Sequence, residues 1–176
     1  MDYSMKLLIA FLVLFAFTAS AQNPYATLVY DSLVICDFGN IEETESNITQ
    51  IGSSYLLKSE PQKRIKLSTT EAKDFSNKIG LKSSYGQPTA ACFMPHFAAM
   101  YYKDGKGIAC VEICVDCNIL DASHDIKAME HTPQKADDGS IYYINTGMSK
   151  EFRKYLKGLL LKYKFSHAPN GDSPND

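Results

Sequence analysis

The chain has 176 residues, with 18 Lys and Arg against 20 Asp and Glu for a formal charge of −2. A balance so near neutral leaves no electrostatic footprint for nucleic acid or for an anionic membrane surface, so neither is expected as a partner and the partner stays unknown. The length suits one domain with a core of its own, and eleven Tyr and nine Phe, with no Trp, supply aromatic packing.

The amino terminus carries an address. Lys6 precedes an uncharged apolar run, Leu7 to Phe17, and Ala19-Ser20-Ala21 follows with the small-x-small spacing that signal peptidase cleaves. Residues 1–21 therefore read as a secretory signal peptide, with the mature chain beginning at Gln22. The run is shorter than the ~20 apolar residues a spanning helix needs, which disfavours a retained anchor. Asp2 offsets Lys6, whereas Met5-Lys6-Leu7-Leu8 makes a better positively charged start, so Met5 is an alternative first residue. No Cys precedes Cys36, so no lipid-attachment cysteine stands at the cleavage point. The expectation is a secreted or periplasmic soluble protein without a stable membrane anchor after cleavage.

Ala26 to Cys36 is rich in Val, Leu and Tyr and reads as a strand or hairpin, and Asn40 to Gln50 as a polar loop. Asn47-Ile48-Thr49 matches a glycosylation sequon. Tyr55 to Leu57 and Arg64 to Leu67 are short strand candidates on either side of Pro61. Ser68-Thr69-Thr70-Glu71 is a capping box opening a helix over 69–79, with Ala72, Phe75 and Ile79 on one face and Gly80 as its stop. Residues 120–140 read as irregular and Ser140 to Asn145 as a strand. Ser149 caps a second helix over 149–163, striped by Phe152, Tyr155, Leu156, Leu159, Leu160 and Tyr163. Residues 166–176 have almost nothing to bury and read as a disordered tail. The expected class is α+β: one domain over 22–165, an antiparallel sheet with a central β-hairpin at about 91–117, packed by two helices.

The hairpin sorts the cysteines. Lys103-Asp104-Gly105 is its turn, and the apolar face must set its register. A two-residue Asp104-Gly105 turn pairs Lys103 with Lys106 and sets His96 against the apolar stripe of the second strand. A three-residue loop with Gly105 left-handed sets Val115, Ile113, Val111 and Ala109 against Phe93, Pro95, Phe97 and Ala99. The second is the more coherent core and is the expected register. It gathers Cys92, His96, Glu112 and Cys114 on the other face, His96 opposite Glu112 as a cross-strand polar pair, with Cys117 at the margin. Cys110 falls opposite Ala98. Pro95 lacks an N–H, so the first strand is expected to lie at an edge or to break there.

Five cysteines (Cys36, Cys92, Cys110, Cys114 and Cys117) leave at least one thiol unpaired within the chain. Export favours disulfides. The leading expectation is a structural bond from Cys92 to Cys114 or Cys117. The alternative is a thiol-redox or zinc-binding protein. Cys114-Val115-Asp116-Cys117 is a CxxC, though no helix start follows to lower a thiol pKa, and Asp116 would raise it. Cys92, His96, Cys114 and Cys117 make a possible Cys₃His zinc set, and no other cofactor is expected. A Cys92–His96 hydrolase oriented by Glu112 lacks an oxyanion motif, so no catalytic residue is assigned and a non-enzymatic domain is the expectation. His124, His131 and His167 fall in loops or the tail and read as solvated.

Taken together, Tyr85-Gly86, Ala91-Cys92-Phe93-Met94-Pro95, the Val111 to Asn118 strand and Gly147-Met148-Ser149 resemble a group of small uncharacterised exported bacterial proteins. In that group a CxxP strand precedes an IxxCxxC strand. The resemblance spans about residues 65–163 and implies location and fold, with no activity to carry over. The group often has Arg where His96 stands, and Cys110 is not part of its pattern.

Overall fold

The computed structural model describes residues 23–39, 46–90, 92–129, 132–144 and 146–166. The expected signal peptide, its cleavage point, Met5, His131, His167 and the tail beyond Ser166 lie outside the described residues. Two helices form where their caps predict. Thr69–Lys78 (α2) has Ser68 as N-cap, with both halves of the capping box made by Ser68 and Glu71. Lys150–Lys162 (α3) is capped by the Ser149 side chain on the Phe152 N–H. A one-turn helix, Pro24–Thr27 (α1), precedes them, capped by Asn23, so the strand expected over 26–36 begins only at Ser32.

The sheet has seven strands, all joined antiparallel: Ser32–Asp37 (β1), Ile48–Ile51 (β2), Ser54–Leu57 (β3), Lys63–Lys66 (β4), Phe97–Lys103 (β6), Lys106–Cys114 (β7) and Ile119–Ala122 (β8). The path runs β2-β3-β7-β6-β1-β4, and β8 pairs with the far end of β7. Tyr85–Gln87 (β5) pairs with Gly147–Met148 (β11), and Thr132–Lys135 (β9) with Ile141–Ile144 (β10). The fold is α+β, as expected. Ile48–Ile51 lies in the stretch read as loop, and β8, a 3₁₀ turn at Lys127–Met129 and β9 occupy the stretch read as irregular. The three strands have four residues each, too short for period-two alternation to stand out.

The hairpin register differs from the expected one. Lys103 pairs with Lys106 across a two-residue Asp104-Gly105 turn, both residues at positive φ (49° and 74°). Positive φ at both positions matches the twist of the flanking strands. A bulge between Tyr101 and Tyr102 then leaves Ile108 unpaired, so that Tyr101, Ala99 and Phe97 face Ala109, Val111 and Ile113. The bulge shifts the partners by two from the expected loop and keeps the faces. The core face is therefore as expected, while its pairs are not. Gly107, just before the bulge, is where β3 approaches: a Cβ there would lie 2.3 Å from the Tyr55 carbonyl oxygen.

One sheet face packs Leu33, Ile35, Phe97, Ala99, Tyr101, Val111 and Ile113 against Phe75 and Ile79 and against Phe152, Leu156 and Leu160 of α3. Ring pairs such as Phe75–Phe97, edge-on at 6.4 Å, lock it. The other face carries a smaller cluster of Cys36, Phe38, Ile48, Ala98, Met100 and Cys110. Ser166, placed in the tail by sequence, is instead held by Asp37, donating its N–H at 2.7 Å and its hydroxyl at 2.8 Å.

Candidate functional site

Strand β6 starts two residues after Pro95, which cannot donate to a ladder. Residues 92–96 therefore leave the sheet, and β6 is an interior strand between β7 and β1. Beyond Cys114 the chain turns through residues 115–118, with Asn118 left-handed at φ 56°; Asn tolerates that region better than most residues. The turn is stitched to the incoming segment: Ala90 N–H donates to the Cys117 carbonyl at 2.9 Å, and Asn118 Nδ2 to the Pro88 carbonyl at 2.8 Å.

That stitching brings Cys92 to Cys117. Their α-carbons are 5.7 Å apart and their sulfurs lie at disulfide distance, within the ordinary range for a bridge. Of the two partners the sequence left open for Cys92, the geometry takes Cys117. Cys114 stays free and buried. Its sulfur accepts the Cys117 N–H at 3.2 Å. The three sulfurs of Cys92, Cys114 and Cys117 all lie within 4.8 Å of one another. Cys114 and Cys117 are buried, and Cys92 is half-buried at the open side of the cluster. Burial pushes the Cys114 thiol above its ordinary value; backbone hydrogen bonds from Met94 and Cys117 oppose the rise, and the Asp116 charge adds to it.

His96 and Glu112 part company. Glu112 stands across from Ala98, because the bulge moved the register and β6 begins after His96. The expected cross-strand pair is thereby corrected. His96 is buried, its Nδ1 2.6 Å from the Gly39 carbonyl. It lies outside the sulfur group, so the expected Cys₃His set reduces to three cysteines. Glu112, 4 % exposed, accepts the Asn47 N–H at 2.7 Å and the Ser46 hydroxyl. Burial raises its carboxyl, and those two donors hold the rise back. Sequence reading missed Ser46 and Asn47 because they stood in a stretch that looked like open loop. Asn47 is itself buried, and its Nδ2 donates to the Pro95 carbonyl at 2.6 Å, so the sequon nitrogen faces inward.

The remaining thiols are spectators of this cluster. Cys36 and Cys110 lie in the second-face core, and burial pushes them to about 11 and about 12. Cys110 faces Met100, not Ala98. Its carbonyl accepts the hydroxyl of fully buried Tyr25 at 2.9 Å. His124, expected in solvent, is half-buried: its Nδ1 lies 3.0 Å from Ser123 Oγ and its ring stands edge-on to Tyr25 at 5.6 Å.

Chemically, the arrangement offers sulfur–sulfur bonding, exchange between neighbouring sulfurs and, once all three are thiolates, soft-metal ligation. It does not assemble the Cys92–His96–Glu112 hydrolase. Among the described residues no helix is long and apolar enough to cross a membrane. Comparison with protein-family models, with curated proteins and with solved structures gives no match.

Proposed function

We propose that this is an exported, non-catalytic α+β domain, periplasmic or extracellular, whose loop ahead of β6 is stapled to the end of β7 by a Cys92–Cys117 disulfide. The observation that carries the reading is the approach of those two sulfurs, with the segment just before Cys92 held to the turn by the Ala90 N–H on the Cys117 carbonyl and the Asn118 side-chain amide on the Pro88 carbonyl. Closing the 25-residue separation is worth about 3 kcal/mol in the chain-entropy picture. The segment stapled is one that Pro95 has released from the sheet, so the covalent tie replaces ladder bonds the strand cannot make. The apolar run before Ala19-Ser20-Ala21 supports export, and an oxidising destination is what a durable disulfide requires.

The test is intact mass after alkylation in denaturant without reductant, on protein recovered from the exported fraction. Three of the five cysteines take up label if the reading holds. Five labelled cysteines together with stoichiometric zinc before denaturation would replace it with the metal-binding alternative. Retention of the unprocessed chain inside the cell would remove the export half.

A further inference from the structure

The free sulfur of Cys114 stands beside a disulfide it has no structural need to approach. A buried Cys serving only as an apolar filler is satisfied by apolar neighbours, as Cys36 is. Cys114 instead sits within 4.8 Å of both bridged sulfurs and is hydrogen-bonded from the backbone of Met94, Cys117 and Asp116. Those N–H groups, which Cys36 and Cys110 lack, offset part of the rise that burial imposes on the Cys114 thiol, and mildly alkaline buffer supplies the rest of its thiolate. Cys117 lies within the chain reversal through 115–118 that follows Cys114, and its N–H reaches the Cys114 sulfur at 3.2 Å, so the two residues are already held together by the turn. Cys117 can therefore bond either neighbour with little backbone movement.

We propose that Cys114 is the internal nucleophile of a three-sulfur relay that moves the disulfide from Cys92–Cys117 to Cys114–Cys117 and frees Cys92 as a thiol for exchange with protein thiols or disulfides. The Cys114 thiolate attacks the Cys117 sulfur, and a Cys114–Cys117 bond forms as the Cys92–Cys117 bond breaks. The electron pair leaves on the Cys92 sulfur, which takes up the proton Cys114 gave to solvent. One disulfide is present before and after, so no oxidant or reductant is consumed. The direction has a consequence at the surface: the buried thiol is exchanged for the half-buried one. The relay rests on the Cys92–Cys117 bond of the reading above.

The experiment follows connectivity in the native protein. Oxidised protein is held in mildly alkaline buffer with N-ethylmaleimide, samples are quenched in acid at intervals, and unreduced peptides are mapped by mass. At time zero the map shows Cys92–Cys117. With time, label accumulates on Cys92 while Cys114–Cys117 appears in equal amount. In Cys114→Ser, Cys92 labelling falls by about tenfold or more, since only attack by Cys114 releases it without added thiol. A wild-type map that keeps Cys92–Cys117, with Cys92 unlabelled throughout, overturns the relay and leaves the staple standing. A time-zero map without Cys92–Cys117 overturns both. The wild-type time course decides the matter even if the serine variant fails to fold.

Discussion

Asn47 bridges two segments that are far apart in the chain: its N–H donates to Glu112 Oε1 at 2.7 Å and its side-chain amide to the Pro95 carbonyl at 2.6 Å. The start of β2 is thus pinned over the second face of the sheet, next to the point where the chain enters β6. Both bonds are buried, so each end is costly to leave unmatched.

Glu112→Ala strands the buried Asn47 N–H, while the Ser46 hydroxyl keeps the Ile48 carbonyl, and should destabilise the fold by about 1–3 kcal/mol, read from urea denaturation. A loss below ~0.5 kcal/mol would mean that water replaces the carboxylate and that the site is open. The same geometry bears on the sequon. Expressed through a eukaryotic secretory route, the folded chain should carry no glycan at Asn47, because its Nδ2 is buried and bonded; intact mass decides.

Glu71 ties the start of α2 to the end of α3. Lys162 first, at 2.6 Å, then Ser68, with further help from Tyr163, hold its carboxyl down to about 2 from 4.5. A carboxyl depressed in the folded state stabilises above its unfolded value and loses that contribution as pH falls, here between 4.5 and about 2. Lys162 is largely exposed, so the ion pair is screened and its share is small. Glu71→Gln keeps the capping bond to Ser68 and removes the charge that Lys162 pairs with; it should cost under about 1 kcal/mol at neutral pH, and the difference from wild type should shrink as pH drops through that window. A difference that is flat with pH would show that the charge has no part in it.

Cys36 and Cys110 should be silent in the native state. Burial raises both far above neutral pH, so neither offers thiolate. Neither should take up a thiol reagent before global unfolding, and their labelling rate should follow urea concentration. Fast labelling of either would place the second-face cluster in solvent.

Leu156→Ala should cost about 2–5 kcal/mol by opening a cavity between α3 and the sheet, where Leu156 is fully buried. Tyr25→Phe keeps the ring packing and removes the hydroxyl that donates to the Cys110 carbonyl, for about 1–2 kcal/mol. Thermal melts rank the two, and Tyr25→Phe matching Leu156→Ala would place the amino-terminal segment nearer the centre of stability than its one-turn helix suggests.

The parts of the fold written in local chemistry were readable from sequence. The Ser68 and Ser149 caps announced both long helices, and alternation gave the core face of the hairpin, because a two-residue shift leaves face assignments intact. The partners across the hairpin were not readable. They depend on the bulge at Tyr101/Tyr102, which is needed where β3 meets β7 at Gly107, and no local pattern records a contact with a strand fifty residues earlier. The cysteine site was half legible. Cys92, Cys114 and Cys117 were gathered correctly by a register that was itself wrong, since Pro95 and the turn after Cys114 do the gathering. His96 was misplaced for the same reason: it precedes the strand and turns to Gly39.

The central claim is the pairing of Cys92 with Cys117, and an unreduced peptide map of acid-quenched protein tests it directly. The account predicts one linked pair of peptides containing Cys92 and Cys117, with Cys36, Cys110 and Cys114 recovered as free thiols. A freshly quenched map in which Cys114–Cys117 stands in place of Cys92–Cys117, or five free thiols, would contradict it.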